Sequence, residues 1–367
     1  MKKTPLHNRH LSLGARMTEF AGYEMPLLYS NVRDEHLAVR QSAGIFDVSH
    51  MGEFIVKGRE ALELIQVLTS NDASKLEIGQ AQYSCMPNET GGIVDDLLVY
   101  RLDEDQCAAG EKAYMLVVNA ANIEKDLNWI NGHNSFDTRV INISDETGLI
   151  AIQGPRAGDL LQPLADFDLN SLKYYTFTKG KVAGCDNVLV SATGYTGSGG
   201  FEVYTIPESI QTVWDALIQQ SANHITPAGL GARDTLRLEM GYCLYGHDIN
   251  DETSPIEAGL GWITKVDKGA FSSSGIFVKQ KEEGVVKKLV GFKVNDRRVP
   301  REGYEIKNVE GEQIGQVTSG TFSPSLEIPI GLGYVSKEFS KNGTEIIIST
   351  GRKDLHAVVA KPPFVKI

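Results

Sequence analysis

The chain has 367 residues, 41% of them apolar, and carries 36 Lys and Arg against 47 Asp and Glu, a net charge of −11. That length exceeds what one core usually organises, so two or three domains are expected, and the ordinary apolar fraction excludes disorder as the main state. The acidic balance argues against nucleic acid or a membrane surface as a partner, and no apolar run reaches the ~18 residues of a membrane span. Four widely spaced cysteines predict reduced thiols in a cytoplasmic protein.

Short strands alternate with amphipathic helices as far as about residue 280. Residues 33–42 are predicted to form a helix and 52–56 a strand, and the next helix carries Leu62, Ile65 and Leu68 on one face. This strand-plus-helix stretch returns 96 residues later, with several identities at the same offset. We interpret the pair as two related α+β units, each with the pattern strand–helix–strand–strand–helix.

The pattern of residues along the sequence changes from about Leu289. Short β-rich runs separated by glycine, proline and asparagine predict a small antiparallel β-domain or barrel. The segment 265–301, which we call the basic strip, holds ten Lys and Arg against four Asp and Glu, a net charge of +6. It fits either a solvated linker surface or a docking surface for an acidic partner.

Several common catalytic and cofactor motifs are absent from the sequence. There is no P-loop, no H-E-x-x-H zinc motif and no G-x-S-x-G nucleophile elbow. The G-x-G starts at Gly229 and Gly259 lack the third glycine of a dinucleotide fingerprint. No Cys or acid stands beside His7 and His10 to complete a metal site, so no metal is expected.

Two adjacent carboxylates stand inside an apolar strand that follows a Gly-Gly turn. Because side chains alternate along a strand, Asp95 shares a face with Leu97, and Asp96 shares the other face with Tyr100. Burying an unpaired carboxylate costs several kcal/mol. At least one of the two should therefore be paired, cap a turn or face a ligand. A turn-capping Asp together with an Asp at the rim is the purely structural alternative.

The glycine-rich segment 193–200 precedes a strand that contains Glu202. Its glycines allow the backbone to approach a ligand closely. A planar heterocycle with an amino-pyrimidinone edge is recognised by one carboxylate that accepts two hydrogen bonds and by an aromatic face. Glu202 and Tyr195 can supply these groups, and charged hydrogen bonds of this kind contribute roughly 1.5–3 kcal/mol each. A glycine-rich hairpin with an exposed Glu is the alternative.

Residues 227–242 are predicted to form a glycine turn that leads into a helix. Arg233 falls in the first turn of that helix, where the helix dipole disfavours a cation, so an anionic or acceptor partner is expected. Arg237 lies four residues further on and shares its face. Alternatively, Arg233 pairs locally with Asp234 or another acid.

Motifs spread over nearly the whole chain resemble those of the T-protein family of the glycine cleavage system, the tetrahydrofolate-dependent aminomethyltransferases. Each motif alone is modest, but together, in order and at natural spacing, they are highly specific. They are TPL at 4–6, FAGYEMP at 20–26, FDVSHMG at 46–52, GGIVDD at 91–96, QGP at 153–155, TGYTG at 193–197, GLGARD at 229–234, TSG at 318–320 and FSPSL at 322–326.

The resemblance implies an α+β fold with three domains arranged as a ring and folate in a central hole. Two ferredoxin-like α+β domains would be followed by a C-terminal β-barrel. We expect a discontinuous first domain of 1–51 and 145–250, a second domain of 52–144 with part of 251–280, and a barrel of 285–367. Some relatives add a folate-contacting tyrosine near the C-terminus, and residues 361–367 contain none.

The resemblance also assigns individual residues. The catalytic acid of such proteins is the second Asp of the pair, here Asp96. We expect it at the N5/N10 edge of folate, where it would orient the ring, stabilise positive charge and accept a proton. The implied folate-binding residues are Tyr83, Tyr100, Asn119, Tyr195, Glu202, Arg233 and Tyr242.

The implied reaction moves a methylene carbon from the aminomethyl-dihydrolipoyl arm of H-protein to tetrahydrofolate. Its products are 5,10-methylenetetrahydrofolate, ammonia and dihydrolipoyl H-protein. Tetrahydrofolate is the acceptor substrate, and neither a metal nor pyridoxal phosphate is implied. Lipoylated H-protein is the implied partner, together with the other cleavage-system proteins. The basic strip is a candidate contact for an acidic carrier or a folate polyglutamate tail.

Three alternatives stay open. A folate-binding class linked to iron–sulfur cluster repair shares the fold, but its K-G-C-[YF]-x-G-Q-E motif is matched at 268–275 without the Cys, Gln or Glu. A folate demethylase for small amines or sulfonium compounds would turn over such substrates without H-protein. A regulatory folate binder would need no catalytic acid, and the presence of Asp96 argues against it.

Overall fold

The computed structural model describes residues 1–220, 224–351 and 353–366. Residues 221–223 of the expected first domain, and positions 352 and 367 of the expected barrel, lie outside the described residues. The predicted domain boundaries stay a prediction. By spatial clustering the chain forms two compact units. The first unit is Met1–Gln66, Ala73–Tyr83 and Leu97–Arg233, and the second unit is Val67–Asp72, Ser84–Asp96 and Asp234–Ile367.

Helices and strands alternate along the chain as the hydrophobic pattern predicts. The helices are α1 (His7–Ser12), α2 (Val32–Gln41), α3 (Ala61–Leu68), α4 (Ile123–Gly132), α5 (Ala157–Leu161), α6 (Pro207–Gln220), α7 (Leu230–Met240) and α8 (Ser274–Glu283). Within the described part of the chain, no helix has the length and apolar character needed to cross a membrane.

The strands are short, and several are joined by glycine turns. In chain order they are β1 (Arg16–Phe20), β2 (Tyr23–Leu28), β3 (Gly44–Asp47), β4 (Gly52–Gly58), β5 (Ala81–Pro87), β6 (Ile93–Arg101), β7 (Lys112–Val118), β8 (Thr138–Asn142), β9 (Gly148–Gln153), β10 (Phe177–Val182), β11 (Cys185–Ser191), β12 (Gly200–Thr205), β13 (Thr226–Pro227), β14 (Lys287–Val294), β15 (Glu305–Lys307), β16 (Gln313–Ser323), β17 (Ile328–Ser336), β18 (Glu345–Ser349) and β19 (Asp354–Val359).

Two sheets of the chain are built on the same plan. One has the strand order β10-β11-β12-β9-β3-β13 and the other β5-β6-β7-β4-β8. The blocks β10-β11-β12-β9 and β5-β6-β7-β4 correspond strand for strand, and α5 and α6 occupy the chain positions of α3 and α4. This agreement supports the internal repeat predicted from the sequence.

Each copy of the repeat contains one strand more than the sequence pattern predicted. Each copy runs strand–helix–strand–strand–strand–helix. In the first copy the missed strand is β5, which corresponds by position to β10, and both lie at the edge of a sheet. The sequence of β5, AQYSCMP, mixes polar and apolar residues without a clear period, although the strand is mostly buried. Strand β10 is half-exposed and carries polar residues, as edge strands do.

The core of the first unit packs helix α6 against a sheet. The helix buries Ile210, Val213, Trp214 and Leu217, whose spacing places them on one face. They join apolar side chains of β3, β9, β11 and β12 in one cluster. Full burial of each such side chain contributes about 1.5–3 kcal/mol, so this helix is a main support for β12.

The second unit contains the predicted C-terminal barrel. Its strands close in the order β14-β17-β16-β15-β18-β19 around an apolar core that includes Phe292 and Val335. The buried Arg237 of α7 donates to Asp248 Oδ2 at 2.7 Å and to Ser319 Oγ of the barrel at 3.0 Å. A paired buried cation of this kind fixes helix α7 against the barrel.

The strand that carries both aspartates is preceded by Gly92, where the structure leaves no room for a side chain. A Cβ at Gly92 would lie 1.7 Å from the backbone oxygen of Asp251. We expect Gly92→Ala to lower the free energy of unfolding by about 2–3 kcal/mol, because two backbone segments must separate. Urea denaturation measures this loss.

Gly132→Ala is the matched control, since a Cβ at Gly132, in helix α4, meets nothing within 4 Å. Alanine is the better helix former, so this variant should be unchanged or gain up to about 1 kcal/mol. Equal unfolding midpoints for the two variants would contradict the close approach at Gly92.

Candidate functional site

A buried carboxylate held by hydroxyl groups lies at the centre of the first unit. Glu202, on β12, is 7% exposed, so the alternative of an exposed Glu on a hairpin is wrong. The Thr193 hydroxyl donates to Glu202 Oε2 at 2.5 Å, and the Tyr204 hydroxyl donates to the same oxygen at 3.3 Å. The glycine-rich connection between β11 and β12 brings Thr193 back beside Glu202, and the hydroxyls direct the carboxylate.

Tyr100 contacts the two residues that donate hydrogen bonds to Glu202. It is fully buried, with its ring 5.3 Å from that of Phe177 and 5.8 Å from that of Tyr204. Its hydroxyl lies 3.2 Å from Thr193 Oγ1 and 3.0 Å from the Tyr204 hydroxyl. Burial raises the pKa of Tyr100, so the phenol stays protonated. The direct folate contact predicted for Tyr100 stays a prediction.

A cation lies over an aromatic ring in the same unit. The guanidinium carbon of Arg233 is 4.7 Å from the centre of the Tyr195 ring, a cation–π distance. Burial lowers the pKa of Arg233, while Tyr195 and Glu202 raise it, and an arginine so placed remains charged. The alternative pairing with Asp234 is not what the structure shows, because Asp234 Oδ1 accepts from Arg237 Nε at 2.8 Å.

Sequence reasoning missed two buried polar groups of the first unit, His50 and Glu53. They are 2% and 1% exposed. Among the described residues, His50 Nδ1 and both Glu53 carboxyl oxygens have no hydrogen-bond partner. Burial, followed by Arg233, lowers the pKa of His50 to about 4. For Glu53 the sequence did offer a signal, a carboxylate inside an apolar strand. The same signal drew attention to Asp95 and Asp96.

The two aspartates of the second unit differ in burial, as the alternation along β6 predicts. Asp95 is fully buried and Asp96 is half-buried. The turn before them is capped by Asn88, whose Oδ1 accepts from the Gly92 N–H at 2.9 Å. Burial raises the pKa of the Cys85 thiol, and the negative charge of Asp96 raises it further.

Tyr242 belongs to the same part of the second unit. It is half-buried, and its carbonyl accepts from Arg237 Nη1 at 3.0 Å. Burial raises the pKa of the adjacent Cys243 thiol, and the charges of Asp248 and Asp96 contribute. Asp96 therefore acts electrostatically on the residue that follows Tyr242.

The remaining predicted site residues, Tyr83 and Asn119, are half-buried and belong to the first unit. Tyr83 lies on β5, and Asn119 directly follows β7 and accepts from the Asn122 N–H at 2.9 Å. Their folate contacts stay predictions. Over residues 1–220, 224–351 and 353–366, no group of three or more His, Cys, Asp or Glu is placed to hold a metal ion.

The structure thus links Tyr100, Tyr195, Glu202 and Arg233 within the first unit. Their arrangement offers a directed carboxylate, an aromatic face and a cation. Such a set can bind a flat polar ring by hydrogen bonds at its edge and by stacking on its face.

Comparisons with known proteins place the chain in a family. The model of the GCVT N-terminal domain matches residues 6–268, and that of the glycine cleavage T-protein C-terminal barrel domain matches 287–366. An α+β part followed by a closed barrel is the architecture of this class. The chain belongs to the glycine cleavage T-protein family, as its motifs predicted.

Curated relatives carry the name aminomethyltransferase. Those of Bacteroides thetaiotaomicron and Flavobacterium psychrophilum are 55% identical, and that of Halothermothrix orenii is 48% identical, each over 100% of both chains. The crystal structure of glycine cleavage system aminomethyltransferase T from Bartonella henselae is 35% identical. It covers 99% of this chain and 98% of its own, with a TM-score of 0.91.

The hydroxyl of Thr193 should be a main support of Glu202. Thr193→Val removes this donor at nearly constant volume and leaves a buried carboxylate with one hydrogen bond fewer. We expect the free energy of unfolding to fall by about 1–3 kcal/mol, measured by chemical denaturation. Thr205→Val, at the half-buried end of β12, is the control and should change it by less than about 0.5 kcal/mol. Equal losses in the two variants would contradict the role of Thr193.

Proposed function

We propose that tetrahydrofolate is the acceptor, and the lipoylated H-protein the donor, in the aminomethyl transfer that this chain catalyses. The methylene carbon leaves the carrier, bonds form from it to folate N5 and N10, and ammonia and the dihydrolipoyl thiol are released. Two N–H protons of folate pass to the amine and the sulfur, so the reaction needs no oxidant or reductant. The observation that carries the proposal is the buried, hydroxyl-directed carboxylate of Glu202.

Glu202 fits the amino-pyrimidinone edge of a pterin. That edge presents neighbouring N–H donors, which a carboxylate accepts in pairs. Thr193 and Tyr204 both engage Oε2, and their hydrogen bonds direct the carboxylate before a ligand arrives. Tyr195, with Arg233 over its ring, offers a flat surface to the pterin face.

Asp96 is the proposed catalytic acid. Its half-buried position on β6 keeps the carboxylate accessible, whereas Asp95 is fully buried. A carboxylate beside N5 and N10 orients the folate and stabilises the positive charge that develops as ammonia leaves. It also accepts a proton from the attacking nitrogen. Folate supplies the one-carbon chemistry, and the proposal uses neither a metal nor pyridoxal phosphate.

The basic strip is the proposed contact for an acidic carrier. Arg297 and Arg298 lie exposed in the connection after β14, within a segment of net charge +6. Opposite charges steer the encounter of two proteins and accelerate association. We place the protein in the cytoplasm with the other cleavage-system proteins on the basis of its family and its widely spaced cysteines.

Asp96→Asn should separate chemistry from binding. Removing the charge and the proton acceptor is expected to lower the rate of methylenetetrahydrofolate formation from aminomethylated H-protein by about 10²–10⁴-fold. Tetrahydrofolate affinity, measured by calorimetry, should stay within about threefold. Asp251→Asn, an exposed acid of the same unit, is the control and should keep full turnover. Full activity of the Asp96 variant would remove that residue from its role.

Charge reversal should test the carrier contact. The double variant Arg297→Glu/Arg298→Glu is expected to slow association with H-protein about tenfold or more at low salt and to flatten its salt dependence. Lys3→Glu/Arg59→Glu makes the same charge change at exposed positions of the first unit. Association rates that respond equally in both variants would show a general charge effect and no docking strip.

A further inference from the structure

Glu53 is buried, and its carboxyl group has no hydrogen-bond partner among the residues that the structure describes. The side chain lies near the start of β4 and is 1% exposed. Its backbone N–H donates to Ser144 Oγ at 3.0 Å, and its carbonyl accepts from the Ile143 N–H at 2.9 Å, so the main chain is held. In the part of the chain that the structure describes, neither carboxyl oxygen has a partner. Such a group costs several kcal/mol and requires an explanation.

A second acid lies close enough to interact with Glu53. Burial raises the pKa of Glu53 well above its ordinary value, and the charge of Glu202 raises it further. Glu202 accepts hydrogen bonds from Thr193 and Tyr204, whereas no such donor reaches the Glu53 carboxyl among the described residues. In its protonated form Glu53 offers one O–H donor and free acceptor positions.

Arg233 and His50 belong to the electrostatic surroundings of the two acids. Arg233 supplies one positive charge and Glu202 one negative charge, and the two interact electrostatically. His50, which also interacts with Arg233, is neutral because burial lowers its pKa to about 4. Beside these charges, Glu53 and His50 both carry buried side-chain atoms that have no hydrogen-bond partner among the described residues.

Each copy of the internal repeat contributes one of the acids. Glu53 belongs to the strand pair β4–β7, and Glu202 belongs to the corresponding pair β9–β12. The acids are far apart in sequence, and the two sheets bring them into one cluster. This pairing of a directed carboxylate with a neutral carboxylic acid is suited to a ligand that presents donors and an acceptor.

Building on the function proposed above, we propose that Glu53 is a further specificity-determining residue that hydrogen bonds directly to the pterin ring of tetrahydrofolate. The pterin carries N–H groups together with a carbonyl oxygen and ring nitrogens. Glu202 accepts from N–H groups, and the Glu53 hydroxyl donates to an acceptor of the same ring. The ligand thus satisfies the carboxyl that the protein leaves without a partner.

Glu53→Leu and Glu53→Gln test this assignment. Leucine removes the hydrogen-bonding group, and glutamine keeps an uncharged donor and acceptor. We expect Glu53→Leu to raise the dissociation constant of tetrahydrofolate, measured by calorimetry without oxygen, by about ten- to hundredfold. Glu53→Gln should stay within about fivefold. Tetrahydropterin, which lacks the aminobenzoyl-glutamate tail, should show the same loss, because the contact is to the ring.

Thermal unfolding separates binding from a structural role. Glu53→Leu should melt at the same temperature as the wild type or higher, because it removes an unsatisfied carboxyl. Glu146→Leu, an exposed acid near Ser144, is the control and should leave the dissociation constant unchanged. Joint loss of affinity and melting temperature in both Glu53 variants would assign Glu53 a structural role and overturn the inference.

Two further outcomes would overturn the assignment in distinguishable ways. If Glu53→Leu binds as tightly as the wild type, or loses affinity for tetrahydrofolate but not for tetrahydropterin, the proposed transfer stands and only the role of Glu53 fails. If the wild type binds neither ligand, the proposed acceptor fails, and the Glu53 contact fails with it.

Discussion

The carboxylate of Glu202 lies in the interior of the first unit, and hydrogen bonds from hydroxyl groups offset the cost of its burial. The 2.5 Å hydrogen bond from Thr193 to Glu202 needs the chain to return closely after β11, which the glycine-rich connection permits. Tyr100 and Tyr204 complete the hydroxyl network, and both are buried by the sheets on which they lie. Without these donors the buried charge would cost more than a domain of this kind can tolerate.

The internal repeat explains how one unit can hold several acids with different roles. Two sheets share the order of their four repeated strands, and each repeat places an acid on its central pair, Glu53 in one and Glu202 in the other. The two acids have different surroundings. Glu202 has hydroxyl donors and Glu53 has none among the described residues, and burial raises the pKa of Glu53.

Much of the fold and part of the site follow from local sequence patterns. Period-two alternation correctly predicted the different burial of Asp95 and Asp96, and the glycine turn before α7 correctly placed Arg233 in the first helical turn. Edge strand β5 was missed because the polar and apolar residues of its sequence, AQYSCMP, follow no clear period, although none of them is exposed. The nearness of Glu53 and Glu202 was also beyond prediction, since it depends on two sheets and not on any local spacing. The hydrogen bond between Arg237 and Asp234 was not predicted either. The sequence spacing alone does not show which of the two arginines of helix α7 faces this acid.

The structure of the protein with tetrahydrofolate bound is the most direct measurement of the central claim. The account predicts the amino-pyrimidinone edge of the pterin at hydrogen-bond distance, about 3 Å, from the carboxylate of Glu202. A well-occupied pterin whose polar edge faces solvent, or that binds away from Glu202, would contradict it.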